Sequence, residues 1–125
     1  MKTVPVSLRR WFLFHFAIDM LFGIPLMIAP GFLFDLFGIA GENFLMARMV
    51  GAALIGIGGA SLVVHRAGTE VFLALLNLKL IWASSALVAI GLSIWEGGPQ
   101  IFWLFFAIFA GFWLVWGYYR MRMWG

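Results

Sequence analysis

Four long apolar runs alternate with short polar breaks along the chain. The runs cover residues 11–29, 44–64, 71–95 and 101–119. Each is about as long as the roughly 20 residues a helix needs to cross a bilayer core. Lipid offers no partner for an open backbone, so runs of this length are expected as helices. The pattern predicts an all-α fold, an integral membrane bundle of four transmembrane helices forming one domain over residues 1–125. The breaks "HRAGTE" and "EGGPQ" are short turns, which makes the second, third and fourth helices antiparallel neighbours. The first break, "PGFLFDLFGIAGEN", is apolar for a loop. Residues 32–37 are expected as a short interfacial turn or helix, serving as a surface anchor or as a lid over a cavity.

Within the runs, the spacing of small and polar residues predicts faces. In the second, Ala52, Gly56 and Ala60 form a small-xxx-small ladder with Gly51, Gly58 and Gly59 beside it. Such a ladder lets helix backbones approach closely, and its spread over several faces predicts a central helix. In the fourth run, Ala107, Ala110, Gly111, Leu114 and Gly117 share one face and are expected to pack inward. Phe102, Phe105, Phe109, Phe112 and Trp116 cluster opposite, as a face for lipid, a partner protein, or a pigment or quinone. Trp113, Tyr118, Tyr119 and Trp124 extend that surface or add to an aromatic belt. The third run carries two seams on nearly opposite sides: Lys79, Ala83, Ala86 and Ser93 on one, and Asn77, Ser84 and Gly91, spaced by sevens, on the other. A helix with polar seams on both sides is expected to touch something beyond its own bundle, so the Asn77/Ser84/Gly91 stripe is a candidate partner seam.

Composition agrees with a lipid solvent: 65% of residues are hydrophobic and 10% charged, against about 25% charged in soluble domains. The net charge of +3 would suggest nucleic acid if the cations were clustered, but they are sorted by side. Lys2, Arg9, Arg10, Arg66, Arg120 and Arg122 fall on the side of the termini, and Arg48 alone on the other, with Asp35, Glu42 and Glu96. This bias predicts both termini in the cytoplasm of a bacterial-type inner membrane. The first run carries Asp19 and two prolines in "FAIDMLFGIPLMIAP", which is not the pattern of a cleaved signal peptide. There is no cysteine, so this chain has no thiol–disulfide, iron–sulfur or thiolate chemistry.

Two charges remain inside the runs. Counted from residues 11 and 71, Asp19 and Lys79 each lie eight residues in, about 12 Å deep at 1.5 Å per residue. An unpaired charge there costs on the order of 3 kcal/mol or more, and each is the obvious counter-ion of the other. The pair is expected to be an ion pair fixing the bundle, or a proton relay or solute-coupled carboxylate, with snorkelling of Lys79 as the third alternative. His15 lies one turn from Asp19 on the same face and would extend a polar path inward. His65 lies in a turn, at another depth, and two such histidines make no closed metal site. Arg48 near Glu42 and Glu96 is expected as an outer interfacial salt bridge, or as a contact for an anionic headgroup or ligand. No nucleophile–base set and no paired carboxylates appear, so no catalytic residue is assigned.

Four spans in 125 residues, short basic ends and the helix-two stretch "ARMVGAALIGIGGASL" from Ala47 to Leu62 resemble the small bacterial four-helix membrane proteins of the DoxX-like group. The resemblance covers the whole chain in architecture and is specific over helix two. It implies an accessory role beside quinone-linked redox complexes, without the group's thiol chemistry, since cysteine is absent. The small multidrug transporters are similar in length and span number and carry an acidic residue in helix one, the place Asp19 would take. They differ in that Lys79 would compensate that carboxylate here, and the charge bias opposes dual topology. These considerations predict a non-catalytic membrane subunit that packs against other membrane chains or itself. The alternative is a small transporter or membrane-embedded binding protein that uses the Asp19/His15/Lys79 interior.

Overall fold

A computed structural model describes residues 3–41 and 43–124. Their secondary structure is five helices, with no strand among the described residues: α1 (Val6–Ile28), α2 (Pro30–Phe37), α3 (Leu45–Val63), α4 (Thr69–Trp95) and α5 (Ile101–Trp124). The fold is all-α, as expected, and α1, α3, α4 and α5 are each long and apolar enough to cross a membrane.

The helices outrun the apolar runs at the basic ends. α1 begins at Val6, ahead of Arg9 and Arg10, and α5 continues past Arg120 and Arg122. Polar residues end an apolar run without ending a helix, because arginine is a good helix former and its long stem reaches away from lipid. Pro5 precedes α1 at φ −63°, an angle its ring imposes and a first helical turn accepts. The break after α1 comes at the next proline but one. Pro25 is accommodated inside α1, whereas Pro30 opens α2 at its first position. α2 ends at Gly38, whose φ of 69° lies in the left-handed region that closes many helices. The expected element at 32–37 is thus a helix two residues longer at its start.

The chain divides into two compact units, residues 5–67 and residues 68–125 with the first four residues. The first holds α1, α2 and α3, and the second α4 and α5. In the first unit α1 and α3 run antiparallel and meet along Leu8, Phe12, His15, Asp19 and Gly23 on α1, and Ala47, Gly51, Leu54, Gly58 and Ser61 on α3, all buried. The contact is backbone-close at two levels. A Cβ added to Gly51 would lie 2.8 Å from the Gly23 carbonyl oxygen, and one added to Gly58 would lie 2.6 Å from Asp19 Cβ. Small residues therefore do let α3 approach its neighbour, but not through the expected ladder. Ala52 and Gly56 are exposed, and nothing lies within 4 Å of a Cβ built on Gly56. The buried stripe runs four, three, four and three residues apart, the spacing of one helix face.

The second unit reverses the expected faces of α5. Ala107, Gly111 and Leu114 are exposed, whereas Trp116 is buried and Phe102, Phe105, Phe109 and Phe112 are half-buried. The aromatic rings reach α4: Phe109 packs edge-on against Trp82 at 6.0 Å, and the Trp116 ring lies beneath Lys79 Nζ. The physical reason is complementarity. α4 offers Ser84 and Gly91 to Trp113 and Phe106 of α5, and Trp82 and Lys79 to Phe109 and Trp116.

The Asn77/Ser84/Gly91 stripe also reaches α5, while Asn77 and Ser84 stay exposed in this chain. Asn77 Oδ1 accepts a 2.8 Å hydrogen bond from Arg120 Nε, and Ser84 Oγ accepts one of 3.0 Å from Trp113 Nε1. A Cβ on Gly91 would sit 3.9 Å from Phe106. Steps of seven up α4 match steps of seven down α5, so the stripe is the antiparallel seam of a hairpin within one chain.

Candidate functional site

The buried polar side chains of the first unit lie in one region. Asp19 is the fourteenth residue of the 23-residue α1, near its middle. His15 precedes it by four, which puts both on one helix face. His15 Nε2 lies 3.3 Å from Asp19 Oδ2, and each residue is only 4% exposed. The carboxylate rests on the backbone of α3: a Cβ at Gly58 would lie 3.0 Å from Oδ2. Gly58 is there because any side chain would displace the acid. The i,i+4 pairing was legible in the sequence, but the seat was not. Gly58 is one of several glycines in α3, and only the register with α1 singles it out.

Ser61 is the third member and the one the sequence reading missed. It is fully buried, and its hydroxyl donates to the Ile57 carbonyl at 3.0 Å, a back-bond that satisfies a helical serine in an apolar setting. Continuing the register that sets Asp19 against Gly58 brings Ser61 level with the His15 turn of α1. One turn further on, His65 ends the hairpin. Its Nδ1 lies 2.6 Å from the Leu62 carbonyl oxygen. Arg9 Nη1 closes this end by donating to the carbonyls of His65 at 2.9 Å and Ala67 at 2.8 Å. The carbonyls beyond a helix C-terminus lack helical donors, and the guanidinium supplies them.

At the opposite end, Arg48 Nε donates to the Met27 carbonyl at 3.1 Å, near the C-terminus of α1. The arginine expected to bridge Glu42 and Glu96 thus caps a helix. Glu42 lies outside the described residues, and Glu96 is an exposed residue of the second unit. Each of these arginines is the fourth residue of its helix and serves the end of the other. The hairpin is tied at both ends by the same device.

In the second unit Lys79 is fully buried, with Nζ 4.6 Å from the centroid of the Trp116 ring. That is a cation–π distance, and such contacts gain most where water is absent. Trp116 in turn stacks on Phe112 at 5.6 Å with 15° between planes. The aromatic cluster expected to face lipid or a pigment is therefore spent, at Trp116, on the lysine. The pairing of Lys79 with Asp19 rests on matched depth in the sequence. Among the described residues no group of three or more histidine, cysteine, aspartate or glutamate side chains is placed to hold a metal.

No family model, curated protein or solved structure matches this chain. The chain is a multi-pass membrane protein by the length and hydropathy of four helices, and its chemistry must be read from the His15–Asp19 site.

Proposed function

We propose that this chain is a small proton-coupled membrane carrier whose coupling group is the His15–Asp19 dyad, placed in a bacterial-type cytoplasmic membrane with both termini inside. The single observation that carries the reading is the approach of His15 Nε2 to Asp19 Oδ2 at 3.3 Å, both side chains buried midway along an apolar helix. Ionisable groups at membrane depth are costly and by default mark solute or proton paths. An acid beside an imidazole can exchange a proton at close range, since one accepts what the other releases. The orientation follows from six basic residues on the terminal side against Arg48 on the other. Asn77 and Ser84, the polar residues that favoured an accessory subunit, bond to Arg120 and Trp113 of the same chain, and the buried dyad is the stronger support.

The test is charge displacement in reconstituted membranes. A pH step applied to wild-type proteoliposomes on a solid support should produce a transient current from proton binding, without any solute. Asp19→Asn should abolish that transient and His15→Gln should reduce it. A full-sized transient in folded Asp19→Asn would show that protons bind elsewhere and end this reading. Reporters fused after Gly125 and within "HRAGTE" should register inside, and reporters within "EGGPQ" outside.

A further inference from the structure

The polar side chains in the α1–α3 interface are distributed unevenly about Asp19. Toward the Arg9 and His65 end, beside the apolar Leu8 and Phe12, lie His15 one turn from Asp19, Ser61 level with it, and His65 a turn further on. Toward the Arg48 end the interface holds Gly23, Gly51, Leu54 and Ala47. No polar side chain stands there until Arg48, which is exposed. The glycines bring the two backbones together at that level, where a Cβ on Gly23 would already be 3.1 Å from the Gly51 carbonyl oxygen.

From this asymmetry we infer that Asp19 exchanges protons with one face of the membrane only, the face carrying Arg9 and His65, and that the Gly23–Gly51 contact seals it from the other. The inference rests on the proton-site reading and adds its direction. In the loading step, a proton from water at the Arg9/His65 end bonds to His15 Nδ1. The Nε2–H bond breaks as an Oδ2–H bond forms on Asp19. The imidazole is left neutral in its other tautomer and the carboxyl neutral, so the net change is one proton gained. Ser61, level with the His15 turn, supplies a hydroxyl that can pass a proton toward the imidazole. The charged or titratable groups of this unit bearing on the path are His15 on the same helix and Arg9 and His65 at its mouth. α2 brings only Asp35, which is exposed.

A sided pH step tests it. Sealed vesicles of uniform, independently determined orientation are stepped in pH on one face while the other is buffered. The protonation of Asp19 is followed by its infrared carboxylic band, with Asp19→Asn vesicles as the reference. Steps on the Arg9/His65 face should move the band promptly, and steps on the opposite face should leave it unchanged over the same interval. His15→Gln keeps polarity but cannot relay a proton, and should slow the response at least about tenfold. Ser61→Ala provides a second slowed variant should His15→Gln fail to fold. A band that follows the opposite face, or both faces equally, overturns the one-sided path while leaving Asp19 a proton site. A band that follows neither face overturns the path together with the proton-site reading.

Discussion

In the hairpin of α1 and α3 the backbones meet at glycines, with an acid and an imidazole closed between them. In the hairpin of α4 and α5 large rings of one helix pack on side chains of the other, from Gly91 to Trp82, with an ammonium closed against an indole. Both enclose an ionisable group in an apolar setting, yet the demands differ. A buried carboxylate needs a charge partner and room, so α1 provides the His15 imidazole one turn away and α3 gives up its side chain at Gly58. An ammonium on a four-carbon stem accepts the face of an aromatic ring, so α5 provides Trp116. The first solution depends on exact backbone spacing. The second depends on side chains that can shift, and it should tolerate substitution better.

The largest expected effect lies between the two charges. If Asp19 and Lys79 are counter-ions, as their matched sequence depths predict, Asp19→Leu and Lys79→Leu should each destabilise the protein by about 3–5 kcal/mol. The double substitution should recover most of that loss, as two apolar side chains suit a lipid-filled setting. Thermal unfolding in detergent gives the coupling energy of the cycle. A coupling near zero would mean that the two hairpins bury their charges independently and that the matched depths do not bring them together.

Next in size is the contrast between glycines. Gly58→Ala places a methyl 2.6 Å from Asp19 Cβ and should cost about 1–3 kcal/mol through forced separation of α1 and α3. Gly91→Ala, with its nearest neighbour at 3.9 Å, should be close to neutral. Gly56→Ala, in open space, should gain up to about 1 kcal/mol of helix propensity. Equal losses at Gly58 and Gly91 would erase the distinction between the hairpins.

A comparable or smaller effect belongs to the ties at the ends. Arg9→Ala removes both donations to the His65 and Ala67 carbonyls and should cost about 1.5–3 kcal/mol, the range for a bond to a charged group. Hydrogen exchange should rise in residues 62–67 without change in α5. The smallest effect is Ser84→Ala, which removes the Trp113 hydrogen bond. It should cost about 0.6 kcal/mol, typical of interhelical polar contacts in membranes, with a shift in tryptophan emission as the readout.

The spans were legible because apolar runs of this length have one stable answer in lipid, and the acid–histidine pair because four residues is one helical turn. Helix ends were not, since Arg9, Arg10, Arg120 and Arg122 end a hydropathy signal while continuing a helix. Faces were legible only where one helix decides them alone. Asn77, Ser84 and Gly91 form a visible stripe, but whether it meets α5 or another protein depends on Arg120, Trp113 and Phe106 arriving in register. Rules that send small residues inward misread α5, because its rings are drawn to Trp82 and Lys79 of α4. Ser61 gave no signal of its own and gained meaning only from its position across from the His15 turn.

The central claim is that Asp19 changes protonation within the folded protein rather than standing as a fixed charge. The chain has two aspartates, Asp19 and Asp35, so isotope-labelled aspartate in an Asp35→Asn background isolates the carboxyl of Asp19 in an infrared pH titration. The account predicts a carboxylic acid band that appears reversibly as pH falls, while the protein remains helical, and that vanishes in Asp19→Asn. A carboxylate signal that stays constant over the whole pH range in which the protein is folded would contradict it and leave Asp19 a structural ion.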